Sequence, residues 1–388
     1  MGHSKYLAIS YGGYRGISRE SQPTVAQLKE DMKILAAMNV GVLRTYNAKF
    51  AEAANLLKAI RALKQEDPSF EMYVMLGAWI DCKNAWTAHP NHEEEDAAAN
   101  AAEIQRVVDM ANQYPDIVKI IAVGNEAMVK WATSYFVQPG VILQYVNQLQ
   151  ALKKAGKLPK DLWITSSDNF ASWGGGGAEY HVEDLTKLLQ AVDYVSMHTY
   201  PMHDTHYNPA FWGNFVGEET LSDTAKIAAA MARAKDYAVS QFQSVARYMK
   251  GLGIQKPIHI GETGWASACN DHYGAKGSKA TDEYKSGIYY HLMREWTNRE
   301  GIACFYFEAF DEIWKDAANP GGSENHFGLF TIDGKAKYAL WDLVGKGVFK
   351  GLSRDGNPIV KTYDGNKAAL LQQTPLPPVK QGKAVVRN

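Results

Sequence analysis

The sequence predicts a single (β/α)₈ barrel, on three observations. Short apolar runs recur along the chain, amphipathic helical patterns separate them, and most of the runs end abruptly in carboxylates, amides or aromatic rings. Regular alternation of this kind specifies parallel strands joined by crossover helices. A doubly wound open sheet is the structural rival. It would need a glycine-rich dinucleotide turn behind the first strand, and Gly12-Gly13-Tyr14-Arg15-Gly16 has neither the spacing nor a helix directly behind it.

Leu7-Ala8-Ile9-Ser10-Tyr11-Gly12 is the first strand. Thr24 and Gln27 form a capping box ahead of a helix that repeats Val25, Leu28, Met32 and Leu35 on one face. Gly41 to Tyr46 is strand two, followed by a helix marked by Ala53, Leu57, Ile60 and Lys64, whose apolar stripe ends near Leu63. Met72 to Trp79 is strand three, with a helix over Ala97 to Asn112. Ile117 to Glu126 is strand four, and Pro139 opens the next helix at a position that suits proline. Trp163 to Asp168 and Val192 to Tyr200 are strands five and six, the latter stopped by Pro201. A long connection from Met202 to Ser222 leads into a helical pattern ending near Met249. Pro257 to Trp265 contains strand seven, Thr281 is the expected cap of the next helix, and Ile302 to Glu308 is strand eight. A short helix around Ala339 to Val344 completes the set.

At 388 residues a single barrel with elaborated loops accounts for the chain. Residues 1–5 read as a leader foreign to the domain, 6–350 as the barrel, and 351–388, with Pro375, Pro377 and Pro378, as an extension that wraps the barrel or runs free. A formal net charge of −1 gives no pull toward nucleic acid or acidic lipid. No apolar run approaches the ~20 residues of a membrane span. The compartment stays open, because an export signal removed ahead of Met1-Gly2-His3-Ser4 would fit a periplasmic, cell-surface or secreted protein. A monomer is expected. Cys82, Cys269 and Cys304 lack zinc-site spacing, and buried free thiols are expected over a Cys82–Cys269 bridge.

Barrel active sites form at the C-terminal strand ends. Those ends carry Arg44 and Tyr46, Trp79 and Asp81, Asn125 and Glu126, Asp168 and Asn169, His198 and Tyr200, Glu262 and Trp265, and Glu308, Asp311 and Glu312. Carboxylates, amides and flat rings together suit a sugar, which needs hydroxyl partners and apolar platforms. Retaining glycoside cleavage needs one acid to protonate the leaving oxygen and one carboxylate to attack the anomeric carbon, roughly 5–5.5 Å apart. Strands four and seven lie across the barrel mouth from each other, so Glu126 is expected as acid/base and Glu262 as nucleophile. Arg44 and Tyr200 would hold Glu262 ionised, Asn125 would hold the hydroxyl beside the reacting carbon, and Trp79 and Trp265 would be platforms.

Gly124-Asn125-Glu126, Gly261-Glu262-Thr263-Gly264-Trp265, Phe310-Asp311-Glu312 and His326-Phe327-Gly328-Leu329-Phe330 resemble the signatures of glycoside hydrolase family 17. These are β-1,3-glucanases among the retaining (β/α)₈ glycosidases, and the resemblance extends from about Tyr6 to Tyr338. It implies a laminarin-type β-1,3-glucan substrate, no cofactor, the same roles for Glu126 and Glu262, and subsite roles around Tyr11, Arg44, Tyr46, Glu312, Lys315 and Phe327. Two departures stand out: Ala266 where the family usually has proline, and His198 where it usually has asparagine. The long connections Cys82 to Glu95 and Met202 to Ser222 leave endo or exo action open.

His198, His203 and His206 do not have the spacing of a helical metal pair, so no metal is expected. Gly174 to Gly177 has no Lys-Ser/Thr behind it and reads as a flexible rim loop rather than a phosphate cradle. Glu93-Glu94-Glu95-Asp96 reads as a charged helix start. The same two glutamates would also serve a transglycosylase. A third alternative, a glucan-binding barrel without activity, fits poorly with the retention of both acids.

Overall fold

The computed structural model describes residues 1–386 and closes eight parallel strands into a barrel. They are β1 (Leu7–Ser10), β2 (Val40–Arg44), β3 (Tyr73–Ala78), β4 (Val118–Asn125), β5 (Trp163–Asn169), β6 (Val195–His198), β7 (Ile258–Gly264) and β8 (Cys304–Phe307). Each pairs with the next, and β8 closes on β1 through the Phe305–Ala8 and Tyr306–Ile9 registers. β5 and β6 separate β4 from β7 on one side and four strands separate them on the other, so the two acid-bearing strands are three positions apart around the ring.

The principal outer helices are α1 (Val25–Ala37), α2 (Ala51–Glu66), α3 (Ala97–Gln113), α4 (Pro139–Lys154), α5 (Glu183–Ala191), α6 (Asp223–Gly251), α7 (Glu283–Glu300) and α8 (Trp341–Gly345). The Thr24/Gln27 capping box opens α1 as expected. Two local expectations need correction. α7 is capped by Asp282, whose side chain accepts from the Lys285 N–H at 2.8 Å, while the Thr281 hydroxyl donates to the Tyr273 carbonyl. The acidic run is a strand, since Asn91–Glu95 pairs antiparallel with Cys82–Lys83 and only Asp96 caps α3. The connection after β6 contains a short helix, Pro201–Tyr207. In addition, α5 was not read from the sequence. It buries Leu185, Leu188 and Leu189 along one stripe of a helix of nine residues, a short signal for periodicity.

Gly174 to Gly177 is not a loose rim. A Cβ on Gly174, where φ is +87°, would lie 2.1 Å from the Tyr248 ring, so this turn abuts α6 where only glycine fits. Cys82, Cys269 and Cys304 are all free, and Cys269 is half-buried, its thiol donating to Asp271.

Inside the barrel, alternation decides what stacks on what. Ala8, Met75, Ile120, Ala122, Tyr194 and Phe305 fill the lower interior, with Val42 packed against them. Two residues further along each strand the same face carries Ser10 above Ala8, Arg44 above Val42 and His198 above Ser196. The interior thus turns from apolar to polar toward the strands' C-terminal ends. The larger apolar cluster lies between strands and helices.

Beyond the barrel, a two-residue ribbon pairs Ser353–Arg354 with Asn357–Pro358. Arg354 is fully buried, donates to Asp31 of α1 at 3.0 Å and lies over the Phe310 ring at 3.9 Å. Further on, Asn214 exchanges backbone hydrogen bonds with Pro378 and Lys380, and Lys285 donates to the Pro375 carbonyl. Among the described residues no helix is long and apolar enough to cross a membrane.

Candidate active site

Glu262 sits near the end of β7 on the interior face, with its carboxylate almost wholly enclosed. Arg44 Nη1 donates to Oε2 at 2.6 Å and to the Gly261 carbonyl at 2.8 Å, while Nη2 donates to Asn125 Oδ1 at 2.6 Å. The Tyr46 hydroxyl donates to Oε2 at 2.8 Å and the Tyr200 hydroxyl to Oε1 at 2.6 Å. Burial alone would push this carboxyl up. The charges of His198 and Arg44 and the two phenolic hydrogen bonds outweigh it and hold Glu262 below the ordinary carboxylate range. The buried carboxylate is thus kept ionised by four groups from β2, β6 and the turns that follow them.

Glu126 follows β4 with φ +46°, a turn conformation that aims its side chain back over the mouth. It keeps a quarter of its side-chain surface exposed. Oε1 lies 3.1 Å from His198 Nδ1, and His198 Nε2 lies 2.8 Å from the Ser167 hydroxyl, itself 2.8 Å from that of Ser196. His198 is buried between β5 and β7, so it fixes the direction of Glu126 from below. The two glutamates therefore converge with unlike surroundings. One is enclosed and held anionic, the other is partly exposed beside a histidine.

A second polar group lies at the end of β8. Lys315 Nζ donates to Glu308 Oε2 at 2.6 Å, approaches Glu312 Oε2 at 3.0 Å and sits over the Phe307 ring at 4.0 Å. Burial pushes the Glu308 carboxyl well up against the pull of Lys315. Glu308 Oε1 and Glu312 Oε1 are both buried without a partner.

A model of the BtgE/BtgC glycoside hydrolase domain matches residues 8–328. The chain belongs to this family. It is 70% identical to an endo-laminarinase from Formosa Hel1_33_131, superposing with a TM-score of 0.98 over 99% of this chain and 98% of that one. A glucan 1,3-beta-glucosidase of Arthroderma benhamiae is 28% identical over 324 residues, covering 81% of this chain and 83% of that protein. A glycoside hydrolase family 17 β-1,3-glucanosyltransferase from Rhizomucor miehei shares the fold, with a TM-score of 0.58 at 20% identity over 86% of this chain and 96% of that one.

In this BtgE/BtgC hydrolase Tyr46, Trp79, Asn125, Glu126, Tyr200 and Lys315 are all partly exposed beyond the C-terminal strand ends. Other expected site residues lie elsewhere, mostly because of strand parity. Trp265 is fully buried, donates its indole N–H to the Ala280 carbonyl and packs on Trp212 and Tyr289, so it is no platform. Tyr11 is one step past Ser10 and turns outward, its hydroxyl donating to Asp31 at 2.7 Å. Asp168 is one step past the inward Ser167. It faces outward too, accepting from the Met128 and Asn169 amides and the Ser172 hydroxyl, and burial pushes it up to about 6. Asn169 is spent on the Ala171 amide. Phe327 is buried and backs Tyr200 and Phe307 edge-on.

Four contributors were not picked out from the sequence: Ser167 and Ser196 under His198, Tyr135 against the Asn125 carbonyl, and Trp86 stacked on Tyr135. The aromatic run Trp131, Tyr135 and Phe136 just behind Glu126 was the available signal for the second pair.

Proposed function

We infer that this chain hydrolyses β-1,3-glucan of the laminarin type with retention, through a glycosyl-enzyme intermediate on Glu262. The observation that carries the reading is the pairing of an enclosed, ionised Glu262 with a partly exposed Glu126 at the end of a neighbouring sector of the barrel. A nucleophile must be anionic when substrate arrives, and Arg44, Tyr46 and Tyr200 keep Glu262 so. A general acid needs access to the leaving oxygen, which the exposure of Glu126 supplies.

In the first step Glu262 attacks the anomeric carbon as Glu126 protonates the departing oxygen. In the second, Glu126 takes a proton from water, which displaces Glu262 on the same face as the original linkage. Asn125, whose Oδ1 is pinned by Arg44, leaves its amide NH₂ to donate to a sugar hydroxyl beside the reacting carbon. Identity to an endo-laminarinase supports cleavage within the chain.

Glu262→Gln abolishes release of reducing sugar from laminarin while leaving the circular dichroism spectrum unchanged. Near-normal turnover by that variant would sink the assignment. The first-formed product, followed by NMR, is the β-anomer; an α-anomer would require an inverting pair.

A further inference from the structure

The connections after β3 and β4 carry an aromatic surface that the chemistry of the two glutamates leaves unused. Trp86 sits in the turn of the Cys82–Glu95 hairpin, 60% exposed and with φ +64°. An indole held in water, on a backbone conformation that bulky residues avoid, is unfavourable twice over. Its surroundings fix it there. The Trp86 N–H donates to the Ser134 carbonyl at 2.8 Å and the Cys82 N–H to the Tyr135 carbonyl at 3.1 Å, tying the hairpin to the segment behind Glu126.

The indoles of Trp86 and Trp79 both donate to Asp81 Oδ1, at 3.1 and 2.8 Å. The Tyr135 ring stacks on Trp86, centroids 4.9 Å apart at 17°, and meets Trp79 at 5.1 Å. The Tyr135 hydroxyl then donates to the Asn125 carbonyl at 3.3 Å, one residue from the acid. Three rings, immobilised by one carboxylate and two backbone bonds, thus form a rigid apolar wall on the Glu126 side of the mouth.

We propose that Trp86, backed by Trp79 and Tyr135, is the platform for the glucosyl residues on the leaving-group side of the scissile bond. The proposal rests on Glu126 being the acid, because the group that protonates the departing oxygen must stand beside the departing sugar. The C–H face of a β-linked glucosyl ring matches a flat, preordered indole, and rigid rings bind with little entropy lost.

The test compares two substrates. Laminarihexaose extends across both sides of the bond, whereas β-laminaritriosyl fluoride places sugar only on the glycone side. Trp86→Ala lowers kcat/KM on laminarihexaose by roughly tenfold, with Trp86→Phe recovering most of it, while kcat/KM on the fluoride stays within about twofold. No change on either substrate, or equal loss on both, overturns the assignment. Failure of the underlying chemistry is read separately in Glu126→Ala: an acid's loss falls on laminarihexaose and spares the fluoride, whose departure needs no proton, whereas unchanged turnover of laminarihexaose would remove Glu126 as the acid.

Discussion

At the scale of single residues, the site is organised by what surrounds one carboxylate. Removing the Tyr200 hydroxyl leaves Glu262 buried with one fewer donor, and its pKa must rise toward the value that burial alone would impose. As the proposed nucleophile Glu262 is needed ionised, so activity is expected to fall as pH drops through its lowered pKa. Tyr200→Phe therefore moves the acid limb of the kcat/KM profile to higher pH, and Arg44→Lys, which loses the fork shared with Asn125, moves it the same way. An unmoved limb in both variants would mean that another group sets it. Folding stability follows the same sign: the contribution of Glu262 is present above its unfolded pKa and lost as pH falls through the folded one.

At the scale of elements, one-residue offsets decide function. Ser167 faces the barrel interior and supports His198, while Asp168, its neighbour, faces the outer layer and accepts the Met128 amide at 2.7 Å. The seam between β2 and β3 is equally tight: a Cβ on Gly77 would lie 2.6 Å from the Thr45 carbonyl oxygen and 2.6 Å from the Tyr46 carbonyl carbon. Backbone cannot yield there without moving Tyr46. Gly77→Ala is expected to cost about 1–3 kcal/mol in urea unfolding and to lower kcat through the displaced Tyr46. Full kcat with that stability loss would uncouple the seam from the site.

At the scale of the whole molecule, the segment past the barrel is anchored by charge in a dry place. Asp31 accepts from Arg354 at 3.0 Å and from Arg15 at 2.6 Å, with Asp31 and Arg354 fully buried. Breaking a buried pair strands the remaining charge, so Arg354→Ala is expected to destabilise by about 3 kcal/mol, the lower end for such pairs because Arg15 stays on Asp31. Chemical denaturation measures this directly. A change below about 0.5 kcal/mol, the level of surface substitutions, would mean that the Asp31–Arg354 pair adds nothing to the stability of the barrel.

The eight strands, the capping box of α1, the glycosidase signatures and the positions of Glu126 and Glu262 at the ends of β4 and β7 were legible in the chain alone, because each is written in local periodicity or in contiguous motifs. Parity and long-range packing were decided only by the tertiary structure. Trp265, Tyr11 and Asp168 stand at strand ends beside inward-facing residues, yet closure of the barrel turns them toward the helices. The acidic run before α3 became a strand because Cys82–Lys83 offered it a partner. Trp86 and Tyr135 are 49 positions apart, and only the fold brings their rings to 4.9 Å beside the proposed acid.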